Sequence, residues 1–336
     1  MGEVIVSMKD IVKTFPGVKA LDHVNFELRS GEVMALLGEN GAGKSTLMKI
    51  LSGVYTKDSG TMTIFGTEYE NLTPKQAQAV GVAIIHQELN MCRHLSVAEN
   101  MFLCEAGRFS KCGFVSGSAM RKAAQQALND IGAEHIDAGA ITGTLDMMDR
   151  KLIEVAKVWM QKPEIIVVDE TTTSLSQKGR DIIYNLMERM KQSGRSVVFI
   201  SHDMDEIMER CDTLTVLRDG HIIRTFERSE FDADAIRTSM IGRELKGDYY
   251  RADYDGSHGE RVVLELKNCS YKNRIHDLNL SVHEGEILGI GGLSHCGMHT
   301  LGKVMFGALK PDRGEVLIHG TPAQSPSHSM KNKVGY

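Results

Sequence analysis

The segment Gly38 to Thr46 reads GENGAGKST and satisfies G-x-x-x-x-G-K-[ST], the pattern of a loop that cradles phosphates. A short apolar run, Val33 to Leu37, precedes it and a helical stretch, Ser45 to Ser52, follows, which is the context that chemistry requires. Gly38, Gly41 and Gly43 let the backbone curl so that the amides of Glu39, Asn40, Gly41, Ala42 and Gly43, and the helix N-terminus at Lys44, Ser45 and Thr46, face an anion. Lys44 is expected to neutralise the outer phosphates of a nucleotide, and Ser45 to offer its hydroxyl to Mg²⁺.

Further reactive groups follow short apolar runs. Ile165 to Val168 leads directly into Asp169 and Glu170, which puts two carboxylates at the C-terminal end of a buried strand, where ligands bind in open α/β sheets. Asp169 is expected to hold Mg²⁺ through water and Glu170 to polarise the water that attacks the γ-phosphate. Two acids after a strand are common as helix caps, so the pair gains its meaning from the loop upstream. Val197 to Ile200 ends in Ser201-His202-Asp203, which brings an imidazole to the same sheet edge. Gln87, in IIHQELN, also follows an apolar run, within expected reach of the metal or the water.

The elements that must hold these groups form an α/β pattern. Short β-like runs (Val4 to Ser7, Val24 to Leu28, Thr61 to Ile64) surround the loop strand, and the later hydrophobic runs alternate with helical segments, which predicts a largely parallel core sheet. Arg121 to Ile131 and Arg150 to Met160 carry apolar residues at helical spacing and read as a helical insert.

The loop recurs 254 positions later as GLSHCGMHT, Gly292 to Thr300, with Met298 in place of the lysine and His299 in place of the serine. At that offset Gly31, Glu32, Gly38, Gly43, Thr46, Leu47, Lys49, Gly53, Asp58, Gly60, Ile64 and Gly66 meet identical residues. Solenoid repeats run at ~20–50 residues, so this spacing is a whole fold copied once. The organisation read from it is a first domain at 1–245, a polar linker at 246–260 (KGDYYRADYDGSHGE) and a partial, degenerate second copy at 261–336. A remnant of that size is expected to lean on the first domain, find its missing part or leave sheet edges open.

Composition adds limits. A net charge of −5 shows no nucleic-acid footprint. Six cysteines lie scattered without C-x-x-C pairing and the chain opens MGEVIVSMKD with no apolar signal core, which points to a reduced, cytosolic protein. No apolar run approaches the ~18 residues of a membrane span, so a membrane role is expected to come through a partner.

In this order the phosphate loop, Gln87, Asp169-Glu170 and His202 resemble the ATP-binding-cassette family, over Val4 to about Leu245 and again in the second copy. The stretches TFPGVKALDHVNFEL, GVAIIHQELN, LSVAENMFL and MIGREL look like the double-cassette ATPase subunits of bacterial monosaccharide importers, the ribose and galactose type. The resemblance implies an α/β P-loop NTPase with a mixed sheet core, an antiparallel β subdomain and a helical subdomain, followed by the partial second copy. It implies ATP and Mg²⁺ as cofactors, with Phe15 stacked on adenine, Ser45, Gln87 and Asp169 around the metal, and Lys44, Gln87, Glu170 and His202 in catalysis. It also implies integral-membrane permease subunits as partners, met through Gln87 and the segment after it, a periplasmic sugar-binding protein indirectly, a second cassette in cis or trans sandwiching ATP head to tail, and a place at the cytoplasmic face of the inner membrane.

The chain departs from the family at L-S-x-G-Q, where it reads Leu145-Asp146-Met147-Met148-Asp149. Asp146 replaces a serine that would donate to the γ-phosphate, and Met148 replaces a glycine that allows close approach. At an effective dielectric near 20, like charges ~4 Å apart repel by ~4 kcal/mol, about three decades in affinity, so this signature is not expected to clamp ATP. Asp146 also reads as a helix N-cap. Thr171 stands where the family usually has proline, and Ser176 where many cassettes have aspartate. Two other readings compete: a catalytically silent ATP-binding module from a truncated transporter gene, and a soluble cassette ATPase acting on ribosomes or DNA, against which the absence of a basic patch counts.

Overall fold

A computed structural model describes residues 2–86, 91–111, 114–172, 175–241, 257–292, 296–323 and 325–336. The chain divides into two compact units, Met1–Leu245 and Lys246–Tyr336. In the first, β1 (Val4–Phe15) and β2 (Val18–Arg29) form a long hairpin, and β3 (Val33–Leu37) leads through the phosphate loop into α1 (Lys44–Leu51). Next come β4 (Ser59–Ile64), β5 (Thr67–Tyr69), α2 (Pro74–Ala79), β6 (Val82–Ile85), α3 (Val97–Met101), a small hairpin of β7 (Ser110–Lys111) and β8 (Phe114–Val115), α4 (Gly117–Asp130) and α5 (Met147–Met160). The unit closes with β9 (Ile165–Asp169), α6 (Gln177–Gln192), β10 (Ser196–Ile200), α7 (Met204–Arg210), β11 (Thr213–Arg218), β12 (His221–Glu227) and α8 (Ala233–Ile241).

The core sheet has the order β12-β11-β3-β10-β9-β6, parallel throughout except for β12, which runs antiparallel to β11. The largely parallel, mixed core sheet expected from the sequence is thus present, with β12 as its one antiparallel strand. A second, antiparallel sheet has the order β2-β1-β4-β5, and α3, α4 and α5 pack on one another as a helical layer.

The near-continuous apolar runs arise because β3, β9 and β10 are buried on both faces. Alternate residues serve different cores. Ala35, Val168 and Phe199 pack with α4, α5 and α6 around Leu128, Leu152 and Ile183, whereas Leu36, Val167 and Val198 pack with α1 and the antiparallel sheet around Leu47, Met8 and Phe26.

The β1–β2 hairpin is longer than its sequence signal. Met8 and Ile11 are both fully buried although three residues apart, because a register shift lies between them and Asp10 adopts φ 52°. His23, at φ 50°, does the same between Leu21 and Val24. Each bulge carries a polar residue outward and returns the next apolar one to the core, which breaks the alternation a sequence reading looks for.

The second unit contains β13 (Val262–Tyr271), β14 (Ile275–His283), α9 (Met298–Met305), β15 (Arg313–Ile318), β16 (Thr321–Pro322) and α10 (Pro326–Lys331). Its sheet order, β14-β13-β15-β16, reproduces β2-β1-β4-β5. The bulges recur at Asn268 (φ 47°) and Asp277 (φ 43°). One difference stands out. Met8 faces Phe26 and Leu266 faces Leu280; Leu266 comes 258 positions after Met8 but Leu280 only 254 after Phe26, so the second hairpin is four residues shorter at its tip. Residues 286–292, the counterpart of the region of β3, belong to no strand. Ile287 is 78% exposed there, because among the described residues no strand flanks it.

Asp58 secures the tip of the first hairpin. It accepts from Lys13 Nζ at 2.7 Å, the Thr14 amide at 2.6 Å and Thr14 Oγ1 at 2.7 Å, and these bonds, the Lys13 one foremost, hold its carboxyl down to about 2. A carboxylate held below its unfolded value of ~3.9 stabilises the fold above that pH and loses the contribution as pH falls toward ~2. Asp58→Asn is therefore expected to lower the thermal midpoint near neutrality and to shrink its further fall between about pH 4 and pH 2; a wild-type acid limb in the variant would contradict this.

Candidate active site

The register of the parallel strands brings the reactive groups to one level. Ala35 pairs with Phe199, so Gly38 and His202, each three residues further on, leave the sheet side by side. Ile200 pairs with Asp169, and the Glu170 amide donates to the Ile200 carbonyl at 3.0 Å, which sets Glu170 beside the turn that carries His202. Ile85 pairs with Val168, so His86, the residue after β6, leaves the sheet at the same edge. Gln87 lies outside the described residues.

The loop from Gly38 to Gly43 is held by backbone hydrogen bonds, one within the loop and one from the β11–β12 turn. The Ala42 amide donates to the Glu39 carbonyl at 3.1 Å, and the Gly220 amide to the Ala42 carbonyl at 3.1 Å. Gly43 is the N-cap of α1 at φ 109°, where a Cβ would stand 2.5 Å from the Ala20 carbonyl oxygen, so the helix start abuts the β2 hairpin strand and only glycine fits. No side chain caps α1, which leaves the amides of its first turn, at Lys44, Ser45 and Thr46, as donors for an anion. Lys44 is 5% exposed, and its Nζ donates to the Gly38 carbonyl at 2.7 Å and to that of Glu39 at 3.2 Å. Burial pushes this ammonium below its ordinary value, opposed by the charges of Glu170 and Asp169.

Asp169 is 6% exposed; burial raises its carboxyl, the neighbouring Glu170 charge adds to the rise, and Lys44 opposes it. Glu170 takes a left-handed backbone at φ 44°, a conformation costly for a residue with a side chain and typical of a functional turn. Its Oε1 hydrogen-bonds with His202 Nε2 at 2.7 Å. The Ser45 hydroxyl and the Asp169 carboxylate are oxygen donors of the kind a hard divalent cation takes, and a buried carboxylate disfavoured by its surroundings gains from such a charge. Phe15, at the hairpin tip, is half-buried and meets Tyr55 edge-on with centroids 5.4 Å apart, the Lys13 ammonium 5.5 Å from its centroid.

Sequence reasoning missed the groups that brace this edge. Glu206, in the first turn of α7, is 7% exposed and accepts from Thr172 Oγ1 at 2.8 Å, Ser201 Oγ at 2.8 Å and Tyr184 Oη at 2.6 Å, tying the segment after Glu170 to the residue before His202. Burial and this bond raise the Tyr184 phenol. From sequence Glu206 reads as an ordinary acid at a helix N-terminus, since the partners that bury it come from three other segments. Glu154 of α5 likewise accepts from the His86 amide at 3.2 Å and from the buried Lys151 at 3.0 Å, and Lys151 also donates to the His86 carbonyl. The residue just before Gln87 is thus held by the helix that follows Asp146.

Asp146 caps that helix, its carboxylate accepting from the Asp149 amide at 2.8 Å. Ser176 Oγ donates to the sulfur of Met148 at 2.9 Å, and Thr171 Oγ1, fully buried, to the Asp169 carbonyl at 3.2 Å. In the second unit, Gly297 is the N-cap of α9 at φ 98°, with a Cβ 2.6 Å from the Arg274 carbonyl oxygen, so the glycine geometry recurs while Met298 and His299 fill the positions of Lys44 and Ser45.

Residues 21–173 and 275–336 match the family model described as ABC transporter. The chain is 39% identical over 334 residues to the ribose import ATP-binding protein of Halalkalibacterium halodurans, which covers 99% of this chain and 66% of that protein. It is 39% identical over 336 residues to the galactose/methyl galactoside import ATP-binding protein of Photobacterium profundum, covering 98% of this chain and 67% of the relative. The chain thus spans about two thirds of the length of these curated relatives. Among solved structures, an ATP-binding cassette of an ABC transporter aligns with TM-score 0.62 and 25% identity, over 71% of this chain and 98% of that one. A dimeric cassette in a post-hydrolysis state bound to ADP and Pi aligns with TM-score 0.59 and 24% identity, over 67% and 100%.

A buried carboxylate whose ionised form is disfavoured weakens the fold at neutral pH. Its raised folded-state value means that the stability it contributes is present at low pH and lost as pH rises through that value. Asp169→Asn is therefore expected to raise the thermal midpoint of the nucleotide-free protein near neutrality, by ~2–4 °C for each kcal/mol recovered in a unit of this size, and calorimetry showing a lower midpoint would contradict it.

Proposed function

Because the chain belongs to the ABC transporter family, we propose that it is an ATP-binding and ATP-hydrolysing subunit that energises the import of a monosaccharide. The observation that carries this reading is the convergence of Lys44, Asp169, Glu170 and His202 on one sheet edge beside an uncapped helix N-terminus. Lys44 and the loop amides of residues 38–46 bind the triphosphate, and the hairpin tip at Phe15 supports the base. Ser45, Asp169 and Gln87 hold Mg²⁺, which supplies charge neutralisation on the phosphate oxygens. Glu170 orients and polarises the attacking water, and His202 holds that carboxylate in place while its ring reaches the γ-phosphate.

The sugar reading rests on the relatives' names, which cover ribose and galactose import. Among the described residues no helix is long and apolar enough to cross a membrane. Transport by this subunit accordingly works through integral-membrane permease partners at the cytoplasmic face of the inner membrane, with a periplasmic sugar-binding protein acting indirectly. A cavity of about 280 Å³ lined by His86, Met91, Asn100, Ile153 and Glu154 supports docking of such a partner beside the end of β6. Residues 1–245 form the first cassette, 246–260 the linker and 261–336 a partial, degenerate second cassette. A complete second cassette, in cis or in trans, is a further partner.

A second reading, a silent ATP-binding module, is favoured by Asp146, whose carboxylate caps α5 where the family signature binds phosphate. Steady-state ATP turnover decides between them. If the chain catalyses, Glu170→Gln retains ATP binding and loses turnover by ~10²–10⁴-fold, the usual contribution of a general base. Equal turnover in the variant and the parent would leave only the silent module.

A further inference from the structure

The second unit carries a group of side chains that the transport reading does not use. His258, His283 and Glu286 each bring one ligand atom to within 4.8 Å of the others. The His258 and His283 rings stack with centroids 4.5 Å apart and 25° between their planes, and His283 Nδ1 lies 3.1 Å from a Glu286 carboxylate oxygen.

The internal repeat separates what the turn needs from what is added here. In the first unit Glu32, the counterpart of Glu286, accepts from the Arg29 amide at 2.5 Å and from Thr213 Oγ1 at 3.2 Å. In the second unit Glu286 accepts from the His283 amide at 2.7 Å, so the carboxylate is retained to close the same turn. The imidazoles are peculiar to this copy: His283 stands where the first has Arg29, and His258 lies four residues before β13. Backbone bonds hold it there. The Gly259 amide donates to the Glu284 carbonyl at 2.8 Å and the Glu284 amide to that of Arg261 at 2.9 Å, which staples the segment with His258 across the turn with Glu286.

We propose that His258, His283 and Glu286 form a binding site for a borderline divalent transition metal of the zinc class. Two imidazoles and one carboxylate, with a fourth position left to water, form a zinc donor set, whereas a hard cation such as Mg²⁺ takes oxygen ligands. Bonds of ~2.0–2.1 Å around a tetrahedral ion set ligand atoms about 3.4 Å apart, so even the widest separation, at most 4.8 Å, closes by about 1.4 Å or less, within reach of side-chain rotation. The His283 and Glu286 side chains are 28% and 17% exposed, which shelters the ion on one side and leaves His258 as the outer ligand. The site lies within the second unit and does not depend on ATP chemistry.

The test is calorimetric titration of the full chain with Zn²⁺, with Co²⁺ absorption as a second readout of tetrahedral coordination. His258→Gln and His283→Asn leave the turn intact, since it is the His283 backbone amide that Glu286 binds, and Glu286→Gln keeps an acceptor for that amide. The expected result is saturable binding at this site that weakens at least about tenfold in each variant and disappears in the double histidine variant, with ATP binding unchanged. Zn²⁺ titrations and Co²⁺ spectra indistinguishable between parent and double variant, or no saturable binding in the parent, would overturn the proposal.

Discussion

All the chemistry of the first unit depends on the flush register of three parallel strands. β3, β10 and β9 are buried on both faces, and their pairings, Ala35 with Phe199 and Ile200 with Asp169, fix where each chain segment leaves the sheet. A shift of one residue would send core side chains to the wrong face and move Lys44, Glu170 and His202 to different heights. The hydrophobic packing that holds the register therefore also sets the distances between charged groups. Glu206, bridging Thr172 and Ser201, locks the turns just beyond the strand ends, where packing no longer acts.

The two units show which parts of this design are frame and which are chemistry. The bulges at Asp10 and His23 recur at Asn268 and Asp277, the positive-φ glycine at Gly43 recurs at Gly297, and the turn carboxylate Glu32 recurs as Glu286. Each of these positions answers a backbone requirement: a left-handed residue, a close approach, an unpaired amide. Lys44 and Ser45, whose side chains no turn geometry demands, are replaced by Met298 and His299, and the counterpart of the hairpin that carries Phe15 is four residues shorter at its tip. The same asymmetry leaves Ile287 in solvent, whereas its counterpart Val33 lies in β3 between β10 and β11, strands drawn from residues 196–218.

What could be read from the sequence follows from how local each signal is. The strand, loop and helix around Gly38 to Thr46 and the strand ends at Asp169 and Ile200 were legible, because a run buried on both faces is continuous and a glycine turn interrupts it. The full β1–β2 hairpin was not, since the bulges at Asp10 and His23 break the alternation, and α4 and α5 begin three or four residues before the segments their periodicity marks. The antiparallel β12 carries no sign of its direction in its composition. Glu206, Tyr184 and Lys151 stayed hidden because burial of a polar group is decided by partners far along the chain. Asp146 was legible as a cap from its chemistry alone, and the bond to the Asp149 amide has that form.

On the proposed function, the edge built by this register holds a nucleoside triphosphate through Lys44. Equilibrium titration of the chain with a fluorescent ATP analogue in the presence of Mg²⁺, compared with Lys44→Ala, tests it most directly. Saturable binding that the substitution abolishes is the predicted result. Binding that is absent from the parent, or equally strong without the ammonium, would contradict it.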